Sequence, residues 1–250
     1  MTTLPIVLTP PRHPPGARRS SAGTGDQRAS APSVGGALGR VLNIAIALSA
    51  LVLLLPVLLL IAVAVKLSSP GPVLYTQTRV GLNRRRKLPP GARYRDADRG
   101  GQPFTIYKFR TMQVDGAARD AATPAEQVWA TPDDPRVTRV GRILRRYRLD
   151  ELPQLVNVLL GDMNIVGPRP EQPVIFARLR DQIPDYQQRQ CVRPGITGWA
   201  QINLHYDSSV EDVRRKLAFD LEYISRHSLT EDLRIMVRTL PVLAGHFGGW

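Results

Sequence analysis

Two adjacent carboxylates, Asp150 and Glu151, lie in the part of the chain that is richest in arginine. The neighbouring arginines are Arg136, Arg139, Arg142, Arg145, Arg146 and Arg148 before the pair and Arg169 after it. A guanidinium group binds phosphate oxygens as a planar, bidentate donor, and an ionised carboxylate close by is a candidate nucleophile. These residue types and their spacing therefore predict a site that handles phosphate groups.

Hydrophobic residues at helical spacing predict one helix before the carboxylates and another after them. The first pattern consists of Val137, Val140, Leu144 and Tyr147, and the second of Leu152, Leu155, Val156 and Leu159. The expected helix ends are Asp133 or Asp134 as the first N-cap, Pro135 and Pro153 in the first turns, and Gly161 after the second helix. The carboxylates are thus expected at a helix N-terminus, where free N–H groups and the helix dipole favour negative charge. A helix cap without chemistry explains the same pair, and periodicity leaves that alternative open.

Three sequence blocks resemble the bacterial sugar transferase family, the small monotopic polyprenol-phosphate phosphoglycosyl transferases. The blocks are YKFRTM at 107–112, LDELPQLVNVL with GDM and VGPRP at 149–170, and RPGITGWAQIN at 193–203. Three such blocks in the family's order, over roughly 100 residues, are improbable by chance, so the resemblance is specific.

The resemblance implies a nucleotide-sugar donor, usually uridine-linked, and a polyprenol phosphate acceptor such as undecaprenyl phosphate. It implies that Asp150 attacks the sugar-bearing phosphorus, that Glu151 orients a divalent cation, expected to be magnesium, and that Asp220 lies near this metal. The substrate-binding residues that it implies are Lys108, Arg110, Arg145, Asp162, Arg169, Arg193, Gly198 and Gln201. Lys108 and Arg110 alternate along a predicted strand, which puts both charges on one face as a candidate contact to the nucleotide diphosphate.

The net charge of +13 indicates an anionic partner. An anionic membrane surface, phosphorylated substrates and nucleic acid would each supply it, but aromatic residues are sparse and no nucleic-acid motif occurs, so nucleic acid is not expected. The single cysteine, Cys191, excludes an internal disulfide. Zinc is not indicated, because no His or Cys cluster has ligand spacing.

Composition divides the chain into three parts. Residues 1–37 are rich in Pro, Gly, Ser, Ala and Arg and are predicted to be a disordered basic tail. Residues 38–67 contain a long uncharged run and are predicted to be a membrane anchor, and residues 68–250 the catalytic domain. Within that domain, residues 84–101 are predicted to be a basic insertion, either a solvated loop or a surface attracted to anionic lipid.

The anchor is long enough to cross a bilayer, but Pro56 near its middle predicts a kink. Both flanks are basic, so the positive-inside rule gives no preferred direction. A helix-break-helix that enters and leaves the same leaflet satisfies both facts, and the resemblance implies the same re-entrant arrangement. Leu55 and Asn43 depart from the family pattern, which more often has serine and an acidic residue there, and a single-pass anchor is the alternative.

The expected fold is therefore α+β and mainly helical, with a re-entrant N-terminal membrane helix and a compact catalytic domain. A small β-hairpin or sheet is expected from residues 73–77 and 104–107, and amphipathic interfacial helices from Ser209 and from Thr230, the last one interrupted at Pro241. The expected location is the inner, cytoplasmic membrane, in contact with its lipids and with the catalytic domain on the cytoplasmic face. A homo-oligomer is left open.

The predicted function is transfer of a sugar 1-phosphate to undecaprenyl phosphate through an aspartyl intermediate, at the start of exopolysaccharide or other glycoconjugate synthesis. One alternative is a membrane-tethered basic binding module, with the carboxylates as helix caps and the arginines bound to acidic lipid. Another is a carboxylate-dependent hydrolase of nucleotide sugars. Release of nucleoside monophosphate that needs the lipid for turnover distinguishes the three.

Overall fold

The structure is a computed structural model that describes residues 34–83, 101–113, 134–204 and 210–243. Residues 1–33 of the predicted tail, residues 84–100 of the predicted insertion and the candidate N-cap Asp133 lie outside the described residues.

Seven α-helices and two two-stranded sheets are present in the described residues. The helices are α1 Val34–Ser68, α2 Arg139–Arg146, α3 Gln154–Leu160, α4 Pro173–Gln182, α5 Trp199–Asn203, α6 Val210–Arg226 and α7 Leu229–Leu243. The strands are β1 Leu74–Val80, β2 Pro103–Phe109, β3 Asn164–Val166 and β4 Gly195–Thr197, and two 3-10 turns cover Leu149–Glu151 and Tyr186–Cys191. A mainly helical chain with little sheet and one long apolar N-terminal helix confirms the predicted fold class.

The long helix α1 begins at Val34, inside the stretch predicted as tail, and continues through Pro56 to Ser68. Helix α1 is therefore not divided at Pro56, and the re-entrant path through a membrane stays a prediction. A proline removes one hydrogen bond, but the surrounding apolar residues leave the other backbone groups no better partners than those within the helix. Its segment Gly36–Ser68 is long and apolar enough to cross a membrane, and only 11% of its most apolar stretch is buried inside the protein.

Two patches of α1 pack against the rest of the chain. Ala47 joins a buried cluster with Phe104, Ile106, Leu155, Val158 and Met163, and Ile61 and Val65 join another with Phe109 and Leu144. Polar contacts accompany this packing, because Arg40 Nη2 donates to Val158 O at 2.7 Å and Ile165 N donates to Asn43 Oδ1 at 2.6 Å. The apolar helix is thus joined directly to β2 and α3.

Strands β1 and β2 pair antiparallel, with Tyr75 opposite Lys108, which confirms the predicted strand pair. Phe104 and Ile106 are buried, and the two-residue alternation of a strand puts Lys108 on the same face. The second sheet is parallel and joins β3 to β4. Lys108 therefore points toward the interior that β2 shares with α3.

Helices α2 and α3 are the two predicted helices, and Gly161 ends α3 with a left-handed φ of 92°, as expected. The N-cap prediction for α2 was wrong. Thr138 is the cap, and its Oγ1 accepts from Gly141 N at 2.9 Å. Asp134 instead accepts from Arg136 N at 3.0 Å in a local turn, because a short acidic side chain competes for nearby N–H groups. Pro241 lies inside α7 and does not interrupt it.

Candidate active site

Asp150 and Glu151 lie together in the 3-10 turn between α2 and α3. Arg148 precedes the turn with φ 54° and ψ 22°, a left-handed conformation that redirects the chain. Pro153 has no N–H to donate to Leu149 O, which accepts from Leu152 N instead, at 3.3 Å. The carboxylates therefore lie next to the N-terminus of α3, as predicted, in a separate and tighter turn that directly precedes the helix.

Glu151 is the centre of a charged cluster. Its Oε1 accepts from Lys108 Nζ at 2.6 Å and from Arg169 Nη2 at 2.6 Å, and its Oε2 accepts from Arg169 Nη1 at 3.2 Å. Burial disfavours the charge of Glu151, which is only 7% exposed, but Arg169 and Lys108 outweigh it, so that its pKa lies well below the usual value. Lys108 and Arg169 thus bring two positive charges to this one buried anion.

Asp150 has the opposite electrostatic environment. Burial and then the negative charge of Glu151 raise its pKa to about 6, against the attraction of Lys108, Arg169 and Arg145. At neutral pH most of the Asp150 carboxylate is ionised, and it is more basic than an ordinary aspartate. A carboxylate in this state is available as a nucleophile or as a base.

Arg169 reaches Glu151 from the segment between Pro168 and Pro170. The prolines restrict this backbone, and two further arginines bind it: Arg189 Nη2 donates to Arg169 O at 3.0 Å, and Arg79 Nη1 donates to Pro170 O at 3.2 Å. The guanidinium group of Arg169 is therefore carried on a braced segment.

Residues 35–246 match the sequence profile of a family described as bacterial sugar transferase. The chain belongs to the bacterial sugar transferase family. An Aeromonas hydrophila relative, named UDP-N-acetylgalactosamine-undecaprenyl-phosphate N-acetylgalactosaminephosphotransferase, is 40% identical over 84% of this chain and 44% of its own length.

Two shorter relatives extend this similarity. A UDP-glucose:undecaprenyl-phosphate glucose-1-phosphate transferase from Caulobacter vibrioides is 44% identical over 82% of this chain and 68% of its own length. An exopolysaccharide production protein from Rhizobium leguminosarum bv. phaseoli is 39% identical over 81% of this chain and 93% of its own length. The chain thus spans less than half of the Aeromonas protein and matches nearly all of the Rhizobium protein.

In the structure Arg110 does not join the Glu151 cluster, although the strand pattern had predicted it beside Lys108 as a diphosphate contact. Arg110 is 5% exposed and donates to Pro70 O, to Ser69 O at 2.7 Å and to Val65 O at 3.3 Å. Strand β2 ends at Phe109, so the alternation with Lys108 does not extend to it. The carbonyl groups at and just after the C-terminus of α1 attract its charge instead.

Of three other predicted substrate-binding residues, Arg145 lies near the carboxylates, whereas Arg193 and Asp162 do not. Arg145 acts electrostatically on Asp150, and its Nε donates to Thr111 Oγ1 at 2.9 Å. Arg193 Nε donates to Gly161 O at 3.1 Å, and Asp162 follows Gly161, so both lie at the end of α3 that is remote from Asp150. Asp162 lines a small separate pocket together with Gly81, Leu82, Gln102 and Phe104.

Gly198 and Gln201 lie beside strand β4. A Cβ on Gly198 would lie 2.3 Å from Gly167 O, so only glycine allows this close backbone approach two residues before Arg169. Gln201 Nε2 donates to Ile196 O at 3.2 Å. Gly198 thus lies against the backbone that leads to Arg169 and Gln201 binds β4, and contact of either residue with a substrate stays a prediction.

The residues present fit magnesium only in part. Among the described residues, no group of three or more His, Cys, Asp or Glu side chains could hold a metal. Magnesium is commonly held by one or two carboxylates with water and substrate phosphates, a donor set that Glu151 can enter by exchanging a cationic partner. Asp220 is not brought into that set, because its buried Oδ2 accepts from Arg189 Nε at 2.7 Å, and its role at a metal stays a prediction.

The sequence interpretation missed the residues that support Arg169 and surround Lys108. Arg189 is buried and also lies 3.8 Å from Glu171 Oε1, and Lys216 Nζ lies 3.2 Å from the same oxygen. Gln154 is 2% exposed at the start of helix α3, whose only other polar residue is Asn157. The polar Gln154, three residues after Glu151, was the one local signal of this site in the sequence. The partners of Arg189 are remote in sequence, so no local pattern indicated them.

Proposed function

We propose that this chain transfers a sugar 1-phosphate from a nucleotide sugar, with UDP as the expected nucleotide, to undecaprenyl phosphate. The product begins the assembly of exopolysaccharide or another glycoconjugate. The observation that carries the proposal is the ion-paired cluster of Glu151, Lys108 and Arg169 directly beside the ionisable Asp150. Relatives whose names specify undecaprenyl-phosphate sugar phosphotransferases support the choice of substrates.

In the first step, an Asp150 carboxylate oxygen attacks the phosphorus that bears the sugar. The bond between this phosphorus and the bridging oxygen breaks, and the nucleoside monophosphate leaves with the electron pair. The ionised form of Asp150 needs no proton transfer for this attack. The charges of Lys108 and Arg169 stabilise the equatorial oxygens of the transferring group.

In the second step, a phosphate oxygen of the lipid attacks the same phosphorus. The bond to Asp150 breaks, the carboxylate is restored, and the sugar becomes attached to the lipid through a diphosphate. Dividing the reaction in this way avoids bringing two anionic substrates together at one time. When bound, magnesium held by Glu151 and the substrate phosphates would neutralise part of their charge.

The acceptor is confined to lipid, whereas the donor is soluble in water. Helix α1 supplies an apolar anchor that packs on α3 and β2, the elements that flank the carboxylates. We place α1 in the inner membrane and the remaining described residues at its cytoplasmic face, where nucleotide sugars are available. We include in this proposal that α1 follows a re-entrant path, in which the helix bends at Pro56 and leaves the membrane through the leaflet that it entered.

The test uses the full-length protein in lipid nanodiscs with a donor labelled in the β-phosphate. Wild-type protein should become labelled and should release nucleoside monophosphate repeatedly only when undecaprenyl phosphate is present. Asp150→Asn should abolish both signals, whereas Asp181→Asn, the same change at a residue that is 73% exposed, should retain them. Turnover without lipid would indicate the hydrolase, and binding without any monophosphate would indicate the binding module.

A further inference from the structure

A pocket lies beside the Glu151 cluster, on the side of β1. Its lining residues are Arg79, Ile106, Lys108, Gln154, Arg169 and Pro170. The enclosed part of this pocket is about 10 Å³, which is room for a single oxygen-sized group. The pocket thus has room for one phosphate oxygen, with the rest of the phosphate group at its open mouth, and its lining contains three cations and no acidic side chain.

Two buried donors in this lining have no partner among the described residues. One is Gln154 Nε2, on a side chain that is only 2% exposed, and the other is Arg79 Nε. A buried N–H group without an acceptor destabilises a folded protein, so each one calls for an explanation. Arg79 and Gln154 both line this pocket, and one anionic ligand that enters it could give both donors an acceptor.

The guanidinium group of Arg79 is fixed by its other nitrogen atoms. Nη1 donates to Pro170 O at 3.2 Å and Nη2 donates to Gln77 Oε1 at 2.6 Å. Gln154 is fixed by its position at the start of α3, three residues after Glu151. The two donors are therefore held in place before any ligand arrives, as tight binding of a small anion requires.

We propose that Arg79 Nε and Gln154 Nε2 form an oxyanion subsite that binds a phosphate oxygen next to the phosphorus that Asp150 attacks. Its ligand is a phosphate group, which either the donor diphosphate or the lipid acceptor can supply. The inference rests on the proposed function for the source of that phosphate. A neutral sugar hydroxyl is a poorer match, because the lining cations Lys108 and Arg169 favour a full negative charge.

Gln154→Met provides the test, because methionine retains the length and much of the volume of glutamine but has no donor. Binding of UDP, uridine and inorganic phosphate is measured by calorimetry, and KM is measured separately for the nucleotide sugar and for undecaprenyl phosphate. We expect roughly tenfold or greater weakening for the phosphate-bearing ligand that uses the subsite. Uridine binding should not change, and the Tm should stay equal or rise because an unsatisfied buried donor has been removed.

The two sources of phosphate give different results. Weaker UDP binding with a higher KM for the nucleotide sugar assigns the subsite to the donor, and a higher KM for the lipid alone assigns it to the acceptor. Gln182→Met, the same change on an exposed glutamine at the end of α4, is the matched control. A lower Tm with every affinity and both KM values unchanged would overturn the subsite and leave Gln154 a structural residue.

Arg79→Lys is the second variant, because it keeps the charge but removes Nε together with the Nη1 and Nη2 donors to Pro170 O and Gln77 Oε1. It should weaken binding of the same ligand as Gln154→Met does, and an effect on the other ligand would contradict a shared subsite. The proposed function is tested separately by wild-type turnover. If wild-type protein releases no monophosphate from any nucleotide sugar, that function fails, while loss of UDP or inorganic phosphate binding in Gln154→Met would still support the subsite.

Discussion

Arg189 Nε lies 2.7 Å from Asp220 Oδ2, and both side chains are almost completely buried. Arg189 also donates to Arg169 O, so the ion pair holds the backbone that carries Arg169 to Glu151. A buried arginine that loses its anionic partner leaves an uncompensated charge inside the protein. Asp220 is therefore a positioning residue for the active site, acting through Arg189 and Arg169.

Replacing Asp220 by Asn should lower kcat by about 10- to 100-fold, a range typical of residues that orient a site from behind. The amide oxygen can still accept from Arg189, but the charge that holds the guanidinium is lost. Turnover is measured well below the Tm of the variant, with Asp181→Asn as the matched surface control. An unchanged kcat together with a lower Tm would show that the pair has only a structural role.

The rate of the first step should fall as the pH drops below about 6. Burial and the charge of Glu151 raise the pKa of Asp150 to about 6, and only the ionised carboxylate attacks phosphorus. Above this pH the nucleophile is charged and the rate reaches a plateau, and below it each pH unit should cost about a factor of ten. Single-turnover release of nucleoside monophosphate between pH 4.5 and 8 measures this, and a flat profile through pH 5 would contradict the assignment.

Glu151→Gln should move this acidic limb to lower pH. Glu151 raises the pKa of Asp150, whereas Lys108 and Arg169 lower it, so neutralising Glu151 leaves the cations without opposition. We also expect the plateau rate to fall, because the residue that orients both cations has lost its charge. The same single-turnover assay across pH reports both effects, and an acidic limb displaced upward would contradict the electrostatic account.

The run of uncharged residues predicted α1, and the strand patterns predicted the pairing of β1 with β2. Local pattern did not predict the N-cap of α2, the continuation of α7 through Pro241 or the inner face on which Lys108 lies. Contacts between remote residues were not accessible in this way. Arg110 lies next to the strand pattern in sequence, yet its partners are carbonyl groups at the end of α1. Likewise, Asp220 and Arg189 meet only after α6 packs on the second 3-10 turn, which no periodicity indicates.

Arg110→Met should therefore weaken folding and leave substrate affinity unchanged. The substitution removes charge-assisted hydrogen bonds to three carbonyl groups at the end of α1, and we expect the free energy of unfolding to fall by about 2–4 kcal/mol. Thermal or chemical unfolding in detergent measures this loss, with Arg214→Met on the exposed face of α6 as the control. If Arg110 bound the diphosphate instead, the KM for the nucleotide sugar would rise at equal stability.

Arg148 holds the turn of the two carboxylates in a left-handed conformation that costs a non-glycine residue about 1 kcal/mol or more. Arg148→Gly removes that strain but gives the unfolded chain more freedom, so the free energy of unfolding should change by less than about 1 kcal/mol. Arg148→Val should destabilise by clearly more, since a β-branched residue tolerates this conformation poorly. Urea unfolding of both variants, with turnover measured in parallel, separates backbone from side chain. Equal losses of stability would mean that the Arg148 side chain, and not its backbone conformation, maintains the turn that presents Asp150.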